Sequence, residues 1–137
     1  MKEPLEAVGA AAETVNRLLL QDEVGVHNIE RAFMQVWLDN AEDARPPRAG
    51  RRMKFIEQVL EKLADRLDHD ARARLRTALT LAIGVEAVIS MRDVGGASVE
   101  EAIEAGRWAA RALVAQALAE AATRNRARGG NTARRSG

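Results

Sequence analysis

The stretch ARARLRTALTLAIGVEAVISMRDVGGASVEEAIEAGRWAARALVAQALAEAA, residues 71–122, decides the fold. It holds two long helical patterns, residues 71–94 and 99–122, joined by Gly95-Gly96-Ala97-Ser98. The first is apolar on nearly every side between Thr77 and Met91. A helix that is apolar all round has to be covered all round, and a chain of 137 residues has few other elements to cover it. The two helices therefore read as a subunit interface, and the sequence predicts a homodimer through them. Leu81, Val85 and Val88 are the interface candidates on the first helix; Ala102, Ala105, Ala109 and Ala112 are those on the second.

The turn between them is strongly marked. Gly95 or Gly96 can take the left-handed conformation that closes a helix. Ser98 with Glu101 three residues on forms a capping box that opens the next. The last helix shows two small-residue stripes: Ile103, Gly106, Ala110, Leu113, Ala117 and Ala121 on one face, and Ala102, Ala105, Ala109, Ala112 and Ala119 on another. Such stripes let a neighbouring helix approach to the short end of the roughly 8–10 Å interaxial range. With the turn placed between Gly96 and Ala97, antiparallel helices bring Glu86 opposite Arg107. A carboxylate inside the apolar run IGVEAVI is costly unless paired, so a Glu86–Arg107 ion pair that fixes register is expected; the alternative is a Glu86 facing water.

Upstream, Leu5, Val8, Ala12, Val15 and Leu19 make one helical stripe, and Val26, Ile29, Phe33, Val36 and Trp37 a second. Gly25 lies between them, at a bend or a break. Pro46-Pro47 ends the second pattern. Residues 51–67 are helical again, with Met53, Ile56, Leu60, Leu63 and Leu67 on one face, and Asp68 to Asp70 offer caps for the next helix. No strand-like alternation appears. The fold class is all-α, an antiparallel bundle of about five helices in one domain, residues 1–123. Residues 124–137 form a basic tail expected to be disordered from about Gly129, with the helix running on somewhat past Thr123.

Composition narrows function by exclusion. Without cysteine there is no disulfide framework and no thiolate chemistry, which suits a reducing, cytoplasmic setting. The N-terminal residues carry no signal-peptide pattern, and the longest uncharged run, residues 77–85, is too short to span a bilayer. Before Arg124 stand all twenty acidic residues and sixteen of the twenty-one basic ones, a net −4. A mildly acidic body disfavours phosphate, so no direct DNA binding is expected of it. Five arginines follow, in a tail that either stays solvated or touches an anionic partner.

Chemistry is sparse as well. The two histidines, His27 and His69, have no metal-ligand spacing; His69 reads as a loop or cap residue, and His27 as a cavity-lining or plain surface residue. No nucleophile elbow, phosphate loop or dinucleotide fingerprint occurs. Neither a metal nor a cofactor is implied, and an enzyme is not expected. What remains is a cavity between the middle helices. Large adaptable apolar side chains line such sites, and the candidates are Phe33, Trp37, Met53, Ile56, Leu60 and Met91; the same residues also read as plain core.

RRMKFIEQVLEKLADRL, then Ile83-Gly84-Val85-Glu86-Ala87, Arg92-Asp93-Val94, the Ser98…Glu101-Ala102 helix start and Arg107-Trp108-Ala109-Ala110-Arg111-Ala112-Leu113, resemble in order and spacing the C-terminal half of TetR-family transcriptional regulators. The likeness covers residues 51–122 well and residues 5–44 loosely. It implies a four-helix dimer interface built from the last two helices of each subunit, and a pocket for a small, often hydrophobic effector enclosed by the helices before them. The family's helix-turn-helix module has no counterpart ahead of Leu5. The expectation is thus a small-molecule-sensing and dimerisation domain without its own DNA reader. The alternatives are an interaction protein that forms mixed dimers with a complete TetR-like regulator, and a helical small-molecule carrier.

Overall fold

The structure, a computed structural model, describes residues 2–43 and 50–135. Among these it is all-helical: α1 (Lys2–Leu20), α2 (Glu23–Asp39), α3 (Arg51–Glu61), α4 (His69–Leu79), α5 (Val85–Ile89), a π-helical turn (Ser90–Val94) and α6 (Val99–Arg135). The helix end expected at Pro46-Pro47 lies outside the described residues.

Helix α1 buries Val8, Ala12 and Val15, three members of its stripe, and keeps Leu5 and Leu19 partly covered. It runs antiparallel to α6: Arg17 meets Glu100 at 2.9 Å, Glu13 meets Arg107 at 3.8 Å, and Gly9 lies against Arg111. The chain breaks after Leu20 rather than at Gly25. Asp22 caps α2 by accepting from the Gly25 amide at 2.9 Å, so Gly25 sits in the first turn of the new helix.

Two apolar clusters result. The larger joins α1 and α3 to α4 and the middle of α6, with Ile56, Leu60, Leu63, Leu67, Leu75 and Leu79 buried. Asp68 opens α4 by accepting from the Ala71 amide at 2.8 Å. The smaller cluster gathers Leu20, Val26, Val88, Ala102 and Ile103 where α2, α5 and the start of α6 meet the end of α1.

The penultimate helix is the main departure from expectation. Residues 71–94 do not form one helix: α4 stops at Leu79, residues 80–84 turn, and α5 and the π-turn follow. Thr80 begins the departure by donating its hydroxyl to the Thr77 carbonyl at 2.7 Å, a local bond that competes with helix continuation. Gly84 completes it at φ +119°, a conformation that L side chains avoid. Asn16, fully buried on α1, holds both sides of the break: its amide donates to the Ala82 carbonyl at 2.9 Å and accepts from the Gly84 amide at 3.0 Å.

This break removes the reason for expecting an external cover. Leu79, Ala82, Ile83, Ala87 and Val88 are all buried within the single chain, because the turn lets successive side chains point into different parts of the core. Only Leu81, 79% exposed, projects outward from that run. Val88 and Ala102 are interior residues of one chain, so neither is available to a partner in this conformation.

Helix α6 departs in the other direction. Its capping box forms as read, with the Ser98 amide donating to Glu101 at 2.7 Å and the Glu101 amide to the Ser98 hydroxyl at 3.2 Å. Its core stripe of Ile103, Gly106, Ala110, Ala117 and Ala121 is buried. The helix then continues through Gly129-Gly130 to Arg135, so the segment read as a disordered tail is helical. Each residue added to an existing helix gains a hydrogen bond without a new nucleation step.

Candidate functional site

Helices α1, α2, α3 and α5 enclose a cavity of about 340 Å³ beside the break. Helix α1 contributes Leu18 and Leu19, α2 Ile29 and Phe33, α3 Met53 and Phe55, and α5 Val85, giving mostly apolar walls. Gly84 and Glu86 close one side, and Arg51 and Arg52 supply the cationic groups. That volume lies at the low end of small-molecule sites, which run from about 300 to 1,000 Å³.

The polar wall depends on glycine. A Cβ on Gly84 would lie 2.4 Å from Arg52 Cδ and Nη1. Its absence lets the Arg52 guanidinium reach past the turn, where Nη1 donates to the Ile83 carbonyl at 3.3 Å and to Glu86 at 2.6 Å. The carboxylate within the apolar run is therefore satisfied by Arg52, not Arg107. Arg107 instead meets Glu13 at 3.8 Å. The expected Glu86–Arg107 pair rested on two unbroken antiparallel helices, and the turn at residues 80–84 swings Glu86 toward α3.

Of the six cavity candidates, the structure brings Phe33 and Met53 to the cavity. Ile56 and Leu60 are core residues of the larger cluster. Trp37 lies further along α2, 53% exposed, and Met91 packs against the smaller cluster near Gly106. The reading missed α1 as a wall, together with Arg52. The signal for Arg52 was present: it stands one position before Met53 at the start of a helix whose other face is apolar.

A second polar constellation fastens α2 to the π-turn. Arg92 donates Nε and Nη2 to Glu23 at 2.5 and 3.1 Å and Nη1 to the Ala97 carbonyl at 2.5 Å. This pairing holds the Glu23 carboxyl below its usual range. Beside it, His27 Nδ1 lies 2.7 Å from the Glu23 carbonyl and Nε2 2.7 Å from Asp93. Neither acceptor carries a proton, so both bonds exist together only when the ring is doubly protonated. The Asp93 carboxylate, and after it the Glu23 carbonyl, raise the His27 pKa accordingly. His27 thus lines an open polar cleft with Glu23, Arg92 and Asp93. His69 is an exposed first-turn residue of α4.

On the outer face of α6, Ala105 and Ala112 are exposed and Ala109 is half-buried, while Leu81 projects from the α4–α5 turn. Val85 belongs to the cavity wall. Trp108, not singled out for this face, is 70% exposed. Among the described residues no group of three potential metal ligands assembles, and no helix is long and apolar enough to cross a membrane. No family model, curated protein or solved structure matches the chain.

Proposed function

We propose that this chain is a small-molecule-sensing and dimerisation domain of the TetR-like kind, with the cavity beside Gly84 as its effector site. The observation that carries the reading is the cavity wall itself. It is the break between α4 and α5, held by Asn16, and Asn16 also touches α6: a Cβ on Gly106 would lie 2.6 Å from its amide nitrogen. A molecule seated against Gly84 therefore presses on the residue that spaces α1 from α6.

Helix α6 supports the pairing half of the reading. Glu101, Ala105, Trp108, Ala112, Ala115, Ala119, Ala122 and Arg126 follow alternating four- and three-residue steps, the heptad seam of a coiled coil, on the face opposite the core. All but half-buried Ala115 are exposed. The seam is self-complementary when run antiparallel against a second copy. Ala112 then faces Ala115 of the second copy, Trp108 faces its Ala119, Ala105 its Ala122, and Glu101 its Arg126. A two-fold axis makes each of these contacts twice. This symmetry favours identical partners over mixed pairs.

The test has two arms. An apolar fluorescent naphthylamine probe is expected to bind at one site per chain, and Val85→Trp, which fills the cavity, should abolish binding with helix content unchanged; undiminished binding by that variant overturns the cavity as the site. Sedimentation equilibrium is expected to show a dimer at tens of micromolar that Ala112→Glu dissociates. A wild-type monomer at that concentration overturns the pairing.

A further inference from the structure

The chemistry of the cavity's occupant is narrowed by Arg52. Its Nη1 is committed to Glu86 and the Ile83 carbonyl, while Nε and Nη2 make no hydrogen bond among the described residues. Those two groups form one edge of the planar guanidinium, and a carboxylate accepts from such an edge through two parallel bonds. The side chain is 23% exposed and lines the cavity together with Phe33, Met53 and Val85. Arg51 lines the same cavity and adds a second positive charge.

We infer that the cavity takes a carboxylate-bearing amphiphile, its head on the Nε/Nη2 edge of Arg52 and its apolar body between Phe33, Met53 and Val85. The inference rests on the reading of the cavity as a ligand site. Taking each non-hydrogen atom to fill roughly the share of one liquid water, 340 Å³ holds on the order of a dozen such atoms. A neutral hydroxyl head makes at most one uncharged bond where a carboxylate makes two charge-assisted ones. An ammonium head would face two arginines and a glutamate already engaged by Arg52.

Calorimetric titration of the full chain with octanoate, 1-octanol and octylamine decides the matter, since the three share one apolar body. Octanoate is expected to bind at least tenfold more tightly than octanol, and octylamine more weakly than either. Arg52→Gln should weaken octanoate at least tenfold and place it below octanol, because the variant keeps the Glu86 carboxylate on the cavity wall without Arg52 beside it. Should octanol match or exceed octanoate on the wild-type chain, the carboxylate inference falls while the cavity reading stands, and this comparison needs no variant to fold. Silence from all three ligands overturns the cavity reading as well.

Discussion

The two C-terminal helical patterns are equally long, residues 71–94 and 99–122, yet they resolve in opposite ways. The apolar pattern over residues 71–94 splits into α4, a turn, α5 and a π-turn. The alanine-rich one runs unbroken for 37 residues, through two adjacent glycines. Glycine count does not separate them, because α6 holds three glycines and the broken segment's interior only Gly84. What separates them is tertiary contact. Gly84 has a positive φ and a turn that the single buried Asn16 bonds on both sides, whereas Gly129 and Gly130 have nothing within 4 Å of where a Cβ would stand. A glycine breaks a helix where something else takes over the backbone hydrogen bonds, and otherwise costs about 1 kcal/mol within it.

The same substitution at both places puts that comparison at risk. Gly84→Ala has to adopt φ +119° and push Arg52 off Glu86, so a loss of about 2–3 kcal/mol is expected. Thermal melting should fall by roughly 10 °C; an unchanged midpoint would mean that the turn does not need glycine. Gly129→Ala is expected to act with the opposite sign, stabilising the end of α6 by about 0.5–1 kcal/mol. Slower amide exchange over residues 124–134, with the global melt unmoved, is the signature. A destabilising alanine there would show that the α6 end is not helical in solution.

The smallest effect belongs to the fastening of α2. His27 has its pKa raised by Asp93, so its contribution is complete below the ordinary histidine value of 6.5 and disappears as pH climbs through the higher folded value. Of the charged groups facing it besides Asp93, Glu23 has its pKa lowered and Arg92 has its raised, so both keep their charges across that range. Amide protection factors at the start of α2, with the intrinsic pH dependence of exchange divided out, should therefore fall as pH rises above 6.5 in the wild type and show no such step in His27→Gln. The effect is modest because the His27–Asp93 pair is about half exposed and screened by solvent.

How much of this was legible follows the same division. Local signals read well. The Ser98–Glu101 box, the Asp68 cap, the α1 stripe and the buried face of α6 are fixed by residues within a few positions of one another. The α2 stripe shows the limit of periodicity: its spacing is as regular as that of α1, yet Val26 is buried while Val36 is 58% exposed. A stripe announces a face to be covered and does not say by what. Asn16 was passed over because a lone asparagine in a helical pattern carries no signal; its partners are 66 and 68 residues away. Missing it meant missing the break, and with the break went the Glu86 partner and the cavity side formed by Gly84, Val85 and Glu86. The resemblance to TetR regulators pointed to a pocket among the middle helices, but it did not indicate which side chains would face it.

One amide side chain, Asn16, touches three things at once: the turn that walls the cavity, the helix that carries it and, across Gly106, the helix whose far side bears the tryptophan. These parts are separated in the chain by tens of residues, but mechanically they share a single rivet. Any sequence that drifts at one of them has to keep the other two in tolerance, and a strain applied at the turn reaches α6 through that one side chain.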